Sequence, residues 1–349
     1  MRFLLDAEQR AFAGSLGAML AAADTPSVIR DWSRGEHEKG RALWSRIADA
    51  GVFALAVPEA YEGLGPRPVE LVVAFVELGR HAVPGPLVET VAAAALLAGI
   101  PEPGPAKRLL PALGAGEAMV TLAHAGHALD ADAADIRLAV SGAAISADVP
   151  MRPAAGPAGT GRQAPELRLA PAPAPGTPRL SLDPARRLCP LPPGGELLAT
   201  GPQIVGPAAD ALAYARLTTA AQALGVGEAL LDRTVTYVKQ RSQFGAAIGS
   251  FQAVKHRLAD AKIALEFARP LVFGAALTMA PADIAAAKVT ACEAAYATAR
   301  TALQSHGAIG YTAEYDLSLW LTKARALRTA WGSPDVCRAE VLSGGDRRW

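Results

Sequence analysis

Apolar residues recur every three or four positions through the first 104 residues, which is the spacing of one face of an α-helix. The stretch "LLDAEQRAFAGSLGAMLAAA" shows this period, and "GRALWSRIADAGVFAL" repeats it. Pro and Gly then interrupt the pattern in "VPEAYEGLGPRPVE" and "VPGPLVET", where helices are expected to stop and restart. The pattern predicts an α-helical N-terminal domain over residues 1–104.

The pattern changes between residues 105 and 205, where short alternating runs replace the helical period. Runs such as "AMVTLAH", "IRLAVSGAAIS", "ELRLA", "RLSLD" and "ELLATG" are separated by Gly, Pro and Asp, as in the strands of a small antiparallel sheet or barrel. Residues 150–179 are rich in Pro, Ala and Gly, a composition typical of linkers. We therefore predict a reduced middle β domain over residues 105–205 that contains a linker-like segment.

Long helical patterns return at residue 206. The first begins near Pro207, and a second begins near Ser250, a residue type that commonly caps helix N-termini. An Ala-rich third pattern ends at Gly307, a favoured residue just past a helix end, and "EYDLSLWLTKARALRTAW" supplies a fourth. Together they predict a C-terminal four-helix bundle over residues 206–349, and a fold class that is mainly α with a small β domain.

Charge and cysteine content argue against several classes of partner and site. The 34 Lys and Arg nearly balance the 33 Asp and Glu, so no basic field favours nucleic acid or an anionic membrane. Apolar runs end before the roughly 18–20 residues of a membrane span, and we expect no secretory leader. Cys189, Cys292 and Cys337 are widely separated, which predicts core thiols and a reducing cytoplasm. His124 and His127 lack neighbouring ligands, so no metal site is predicted.

Two motifs stand on either side of the predicted third bundle helix. "RSQFGAAIGSFQAVKHRLAD" follows the first bundle helix, and "QSHGAIGYTAEYDL" precedes the last. Together with "GVFALAVPEAYEGLG" in the N-terminal domain, they resemble the acyl-CoA dehydrogenase family. The resemblance implies the order of helical domain, middle β-barrel and four-helix bundle. It also implies FAD-dependent α,β-dehydrogenation of an acyl-CoA thioester.

The resemblance assigns five residues of these motifs to the ADP half of FAD: Arg241, Phe244, Gln304, Gly307 and Gly310. A guanidinium suits a pyrophosphate, an aromatic ring can pack on adenine, and an amide can bond cofactor oxygens. Glycines let the backbone approach phosphates. Each type also has a simpler explanation, namely a surface ion pair for Arg241, a packing anchor for Phe244 and helix termination for Gly307. In the family these contacts reach across a dimer interface to the neighbouring subunit's flavin.

The catalytic base of the family is missing at both places where members carry it. There a Glu takes the α-proton of the thioester, and it stands in the turn after the last bundle helix or on the first bundle helix. The first position matches Trp331 in "AWGSPD", and the second matches Ala215, just before Arg216. Neither side chain accepts a proton at neutral pH, so the sequence predicts no catalytic residue in this chain.

The middle region also departs from the family. Members carry a "TEP…GSD" segment and a Trp-Ile-Thr segment that meet the flavin ring and the thioester. This chain has "VTLAHAGHALDADAAD" in the first region, and no Trp lies between Trp44 and Trp320. We therefore expect no flavin cradle in this subunit.

Three hypotheses follow. In the first, the chain resembles the degenerate small subunit of the heteromeric α2β2 acyl-CoA dehydrogenases that actinobacteria use on bulky substrates such as steroid side-chain thioesters. It would complete the FAD site of a homologous catalytic partner, which binds most of the acyl-CoA, while Trp331 fills its own vacant pocket. In the second, it is a self-sufficient homo-oligomeric enzyme with a relocated base, Asp335 or Glu340, although Asp335 is also placed to cap the next helix. In the third, it is a flavin-free scaffold that retains the fold.

Overall fold

The structure is a computed structural model, and it describes residues 5–123, 126–141, 164–176, 178–179 and 181–344. As predicted, α-helices make up its N-terminal part. The first begins with a capping box, in which the Asp6 side chain accepts from the Gln9 N–H at 2.8 Å and the Gln9 side chain accepts from the Asp6 N–H at 3.1 Å. The helices are α1 (Ala7–Ala21), α2 (Thr25–Ser33), α3 (Glu38–Asp49), α4 (Pro68–Arg80), α5 (Leu87–Gly99) and α6 (Pro103–Gly114).

The last of these helices extends past the predicted domain boundary at residue 104. α6 begins at Pro103 and continues to Gly114. Proline is tolerated in the first turn of a helix, because the N–H that it lacks would have no partner there. The Pro-rich stretch therefore starts a helix where the sequence pattern had indicated the end of the helical region.

Short strands follow α6, and they confirm the small β region. In the described residues they are β1 (Val120–Leu122), β2 (His127–Leu129), β3 (Ile136–Ser141), β4 (Glu166–Leu169), β5 (Leu188–Pro190) and β6 (Glu196–Thr200). Four of them form one sheet in the order β1-β3-β4-β6, and β2 pairs with β5. The run "RLSLD" contributes one bridge, between Arg179 and Leu188, in place of the expected strand.

The pairing in the four-stranded sheet is mixed, whereas the sequence pattern predicted a purely antiparallel one. β1 and β3 run parallel, while β3 with β4 and β4 with β6 run antiparallel. A parallel pair needs a connection of about a dozen residues, and residues 123–135 provide it by way of β2. Residues 142–163, which include the first part of the predicted linker-like segment, lie outside the described residues.

Long helices form the C-terminal part, and the four predicted bundle helices are present. In the described residues they are α7 (Val205–Gln240), α8 (Gln252–Thr278), α9 (Pro281–His306) and α10 (Leu317–Leu327), followed by the short α11 (Pro334–Ser343). A two-stranded hairpin, β7 (Ser242–Gln243) and β8 (Ala246–Ala247), joins α7 to α8. With 36 residues, α7 is about 54 Å long. It contacts α8, α9 and α10 of the bundle and also α4 and α5 of the N-terminal part.

Two of the predicted helix caps differ in the structure. Ser250 does not cap α8, because its hydroxyl donates back to the carbonyl of Ala247 at 2.7 Å and Phe251 takes the cap position. Asp335 does not cap α11, because the Ser333 hydroxyl accepts from the Val336 N–H at 3.4 Å. The cap of α8 is therefore one residue after the predicted cap, and the cap of α11 is two residues before it.

Two glycines bring α4 and α7 into backbone contact. A Cβ on Gly225 of α7 would lie 1.9 Å from the carbonyl oxygen of Val76, and a Cβ on Gly79 of α4 would lie 2.1 Å from that of Gln222. These separations are shorter than any non-bonded contact, so neither position accepts a side chain. The N-terminal helices are thereby fixed directly against the bundle.

The prediction of core thiols is confirmed, since Cys189, Cys292 and Cys337 are free and buried. No single helix within the described ranges has both the length and the apolar character that a bilayer span requires. α1 and α2 pass that test as a pair, but they are bent by 65° from each other.

Candidate functional site

A short turn between α10 and α11 carries Trp331, the residue that stands where the resemblance expects a catalytic Glu. Trp331 has a φ of 58°, which is unusual for a bulky side chain, and Gly332 follows with a φ of 125°. The side chain is 4% exposed, and its indole N–H donates to the Glu89 carboxyl at 3.1 Å. The turn therefore directs the indole into the protein toward the first turn of α5.

Two buried cations hold the backbone of this turn. The Arg216 guanidinium on α7 donates from Nε to the carbonyl of Trp331 at 3.0 Å and forms an ion pair with Glu340 on α11. The Lys288 ammonium on α9 donates to the carbonyl of Gly332 at 2.7 Å. Such contacts can support the strained φ of Trp331.

The structure brings the two predicted base positions into one region. Ala215 is fully buried on α7, and its neighbour Arg216 contacts the backbone of Trp331 directly. Neither an indole nor a methyl group has an atom that accepts a proton at neutral pH. Neither of these two side chains can therefore act as a general base.

A carboxyl group that the sequence analysis missed lies beside the indole. Glu89 is buried in the first turn of α5, and burial raises the pKa of its carboxyl against the opposing effect of Arg186, whose guanidinium lies 3.9 Å away. Its Oε1 accepts from Trp331, while its Oε2 is buried without a hydrogen-bond partner among the described residues. A signal was available, because Glu89 is a lone charge in the otherwise apolar run "PLVETVAAAALLAG".

Further buried charges surround Glu89. Burial raises the pKa of Asp130 to about 8, although its Oδ1 accepts from the Trp32 indole N–H at 3.1 Å. Burial lowers the pKa of Lys323, which donates to the carbonyl of Val83 at 3.0 Å. Lys323 also lies 3.8 Å from Asp183. The region therefore holds ionisable groups whose charged forms are disfavoured, a pattern common at functional sites.

A cleft of about 300 Å³ opens at this cluster. Its polar walls include Glu89, Arg186 and Trp331, and its other walls come from the β region and from the end of α10: Leu122, His127, Leu129, Ser181, Leu182, Leu188, Ala326, Thr329 and Ala330. We call this space the Glu89 cleft. Neither of the relocated bases suggested by the sequence lines it, because the Asp335 side chain is 94% exposed and Glu340 is paired with Arg216.

The five residues predicted to contact FAD lie at the other end of α7 and α9. Arg241 ends α7, is exposed, and makes no side-chain hydrogen bond or ion pair within the described part of the chain. Phe244 is 92% exposed with a φ of 55°. Gln304 is exposed in the last turn of α9, and Gly307 ends that helix with a φ of 65°. Gly310 is buried in the following turn.

Stacked rings join the two motifs. Tyr237, one turn before Arg241, stacks on His306, two residues after Gln304, with ring centroids 4.1 Å apart. The Tyr237 hydroxyl also approaches the carbonyl of His306 at 3.5 Å. The predicted cofactor residues of both motifs therefore share one end of the bundle. This contact was not predicted from the sequence, because neither Tyr237 nor His306 is among the five residues that the resemblance assigns to FAD.

Exposed apolar side chains extend from this end along the bundle. Phe251 lies 6.4 Å from Phe244, ring to ring, and Ile309 and Tyr311 are exposed near the end of α9. On α8, Ile263, Phe267 and Leu271 are exposed at four-residue spacing and so form a stripe along one face. Apolar surface of this extent is typical of a protein–protein contact.

The sequence predicted no metal site at its two closely spaced histidines, His124 and His127. His127 begins β2 at the Glu89 cleft, while His124 lies outside the described residues. Within the part of the chain that the structure describes, no group of three or more His, Cys, Asp or Glu side chains could hold a metal ion.

Comparisons with known proteins agree with this architecture. Residues 6–117 match the acyl-CoA dehydrogenase N-terminal domain, and residues 206–344 match the acyl-CoA dehydrogenase C-terminal domain. The chain is 31% identical to "Acyl-CoA dehydrogenase IpdE2" of Mycobacterium tuberculosis over 330 residues, which cover 94% of each protein.

Two solved structures share the fold. One is that of the ChsE4-ChsE5 complex from Mycobacterium tuberculosis, with a TM-score of 0.80 and 24% identity over 99% of this chain and 100% of that one. The other is the Tcur3481-Tcur3483 steroid ACAD G363A variant, with a TM-score of 0.76 and 24% identity over 96% and 97%. Because the sequence identity is only 24%, these two similarities show a shared fold and nothing more.

Proposed function

The chain belongs to the acyl-CoA dehydrogenase family, and from that premise we propose that it is a non-catalytic subunit of a heteromeric enzyme. In this proposal it supports the FAD-dependent α,β-dehydrogenation of an acyl-CoA thioester by completing the FAD site of a homologous catalytic partner. Its own site carries no catalytic base.

The observation that carries the proposal is the state of Trp331. An indole occupies the position of the family's base, and it is buried, bonded to Glu89 and fixed through its backbone by Arg216. Burying a large aromatic ring contributes a few kcal/mol to folding. The turn is therefore built around a side chain that cannot take a proton, and the second possible position, Ala215, offers a methyl group.

The opposite end of the bundle supports the role toward a partner. Arg241 has an exposed guanidinium without an ion-pair partner in the described residues, and Gln304 and Phe244 are also exposed there. These groups fit a pyrophosphate, cofactor oxygens and an adenine face, so they would hold the ADP half of a partner's FAD. When bound, FAD supplies the hydride acceptor of the reaction. The exposed apolar side chains beside them and on α8 would meet the partner.

The relatives favour a heteromeric assembly. One structural neighbour, PigA, is known with FAD, and another is a complex of two differently named proteins. Another neighbour is described as a steroid acyl-CoA dehydrogenase. We propose an α2β2 complex in the cytoplasm that acts on a bulky thioester of the steroid or lipid class, with the acyl-CoA bound mainly by the partner.

Coexpression tests this function. The chain is purified alone and together with a homologous acyl-CoA dehydrogenase that carries the family's Glu, and flavin per chain is measured by absorbance. We expect a colourless isolated chain and a yellow, active complex with one FAD per heterodimer. Stoichiometric FAD in the isolated chain, together with acyl-CoA oxidation, would exclude the proposed role.

One observation favours a second candidate, a self-sufficient enzyme with a relocated base. The carboxyl of Glu89 lines the cleft, whereas Asp335 and Glu340 do not. In this alternative the isolated chain binds FAD and oxidises acyl-CoA, and Glu89→Gln abolishes turnover but leaves FAD bound. Under the proposed function the isolated chain is inactive with or without that substitution.

A further inference from the structure

The buried Glu89 carboxyl at the cleft has one oxygen without a hydrogen-bond partner on any other described residue. Oε1 of Glu89 accepts from Trp331, but Oε2 is inaccessible to solvent and unpartnered among the described residues. An unpaired buried polar atom destabilises the folded protein. At the wall of a cleft, such an atom indicates where a ligand would supply the missing hydrogen bond.

Arg186 is the second incompletely bonded group in the cleft. Its side chain is 13% exposed, and its guanidinium lies 3.9 Å from Glu89, which is too far for a hydrogen bond. Within the described residues the guanidinium donates no side-chain hydrogen bond. A guanidinium has five N–H donors, and removing them from water without acceptors is costly. Glu89 and Arg186 therefore present unused hydrogen-bonding capacity to the same small volume.

The rest of the cleft is compact and mainly apolar, with His127, Ser181 and Thr329 as its other polar side chains. Leu122, Leu129 and Leu188 come from the β region and face the turn that carries Trp331. A volume of about 300 Å³ is at the lower end of the range for small-molecule sites. The first turn of α5 adds the positive end of a helix dipole, because Glu89 lies at its third residue. The cleft thus combines apolar walls with a polar end that favours acceptors.

We propose that the Glu89 cleft is a ligand site for a compact apolar carboxylic acid. The ligand's carboxylate accepts from the Arg186 guanidinium and from the Glu89 carboxyl at the polar end, and its hydrocarbon body packs against the leucines and the indole of Trp331. No acyl-CoA chemistry takes place there, so the site would regulate or stabilise the subunit.

A carboxylate fits this pair of groups better than an amine or an alcohol. Arg186 repels an ammonium, and an alcohol oxygen cannot bond both donors of a guanidinium edge. Burial raises the pKa of Glu89, which favours the protonated form that donates to a carboxylate. The charged or titratable groups nearest to Glu89 and at the cleft are Arg186, Lys323, Asp130 and His127.

Calorimetric titration of the isolated full chain tests the proposal with 3-cyclohexylpropanoate and its neutral analogue 3-cyclohexylpropan-1-ol. We expect saturable binding of the acid and at least about tenfold weaker binding of the alcohol. Arg186→Gln should weaken binding of the acid by at least about tenfold. Glu89→Gln should retain most of the affinity, because an amide N–H still donates, whereas Glu89→Leu should lose it.

Arg179→Gln is the matched control, because Arg179 is an exposed cation on the same connecting segment and does not line the cleft. The comparison of acid with alcohol uses the unmodified protein and remains decisive if a variant fails to fold. Equal affinity for the two probes, unchanged binding by Arg186→Gln, or no saturable binding of the acid up to about 10 mM would overturn the proposal. The titration involves no flavin, so its failure leaves the proposed function untouched.

Discussion

The indole nitrogen of Trp331 lies 3.1 Å from a carboxyl oxygen of Glu89, although the two residues are 242 positions apart in the chain. Glu89 belongs to the N-terminal helical region, and Trp331 belongs to the turn after the last long bundle helix. The hydrogen bond therefore joins the first and last parts of the fold at the cleft. It also links the residue that stands where the resemblance expects a base to a buried carboxyl group.

Removing the indole N–H should destabilise the protein. Trp331→Phe removes the indole N–H that donates to the buried Glu89 carboxyl, and leaving a buried polar group without such a partner costs about 1–3 kcal/mol. We expect a loss of free energy of unfolding in that range by urea denaturation. The double variant Glu89→Gln/Trp331→Phe should lose less free energy of unfolding than the sum of the losses in the two single variants.

Trp44→Phe is the control for this prediction. Trp44 has the same 4% exposure, and its indole N–H donates at 3.1 Å to the carbonyl of Gly116 in a part-buried setting. Loss of this hydrogen bond should lower the free energy of unfolding by about 0.5–1.5 kcal/mol. If Trp331→Phe proves no more costly than Trp44→Phe, the bond to Glu89 has no special weight.

Stability should depend on the proton of Asp130. Burial raises the pKa of this carboxyl to about 8 in the folded protein, against 3.8 for an unperturbed Asp. The folded state therefore holds a proton that the unfolded state releases, so stability falls as pH rises from about 4 to about 8 and then levels off. The slope approaches about 1.4 kcal/mol per pH unit for one such group. Glu89, whose pKa is also raised, adds to the fall in the same direction.

Asp130→Asn should reduce this slope and raise stability at pH 8. An Asn oxygen can still accept from the Trp32 indole, and Asn tolerates the φ of 52° at this position. Urea unfolding at pH 5, 6, 7 and 8 measures the effect. The exposed Asp49→Asn on α3 serves as control and should leave the slope unchanged. A slope that stays at the wild-type value in Asp130→Asn would show that Asp130 is ionised in the native state.

Local sequence patterns predicted the elements that repeat a simple period. The helical period and the Ala-rich run gave α7, α9 and α10, and the isolated cysteines gave buried thiols. Patterns also predicted β1, β3, β4 and β6, but they missed β2 and β5 and indicated a strand at "RLSLD", where only a bridge forms among the described residues. They did not show the parallel pairing of β1 with β3, because that pairing depends on the path of the intervening chain.

The residues at the Glu89 cleft were missed for the same reason, because their contacts depend on the path of the chain and not on local sequence. The sequence shows that Glu89 is a charge within an apolar helix, but not that it meets Trp331, because that contact depends on how α5 packs against the end of the bundle. Arg186 and Lys323 look like ordinary surface cations, and their burial follows from tertiary packing. By contrast, the motifs containing Arg241 and Gln304 are short and continuous in the chain, so the order of residues is enough to identify them.

Arg241 should control flavin content without controlling assembly. Arg241→Ala removes a bidentate donor from the predicted FAD contact, and Arg241→Lys keeps the charge but loses the fork of donors. We expect a lower ratio of FAD to protein in the coexpressed complex, with the largest decrease for Ala and an intermediate one for Lys. Gel filtration should show an unchanged complex.

Arg257 is exposed on α8, and Arg257→Ala is the control. It should keep the ratio of FAD to protein of the unmodified complex. Full flavin occupancy in Arg241→Ala would remove the role that we propose for this residue. Loss of the complex itself would instead identify Arg241 as an assembly contact.

The contact between α4 and α7 gives the most direct test of the fold. Gly225→Ala places a Cβ 1.9 Å from the carbonyl oxygen of Val76, so the two helices must separate. Overpacking of this kind costs about 1–3 kcal/mol or more, and here the obstacle is backbone, which cannot rotate away. Gly274→Ala in the interior of α8 is the matched control, because nothing lies within 4 Å of its Cβ. It should stabilise the protein by about 0.5–1 kcal/mol through helix propensity. Opposite signs for the two Gly→Ala changes in thermal unfolding are expected, and a neutral Gly225→Ala would mean that α4 and α7 are not in backbone contact.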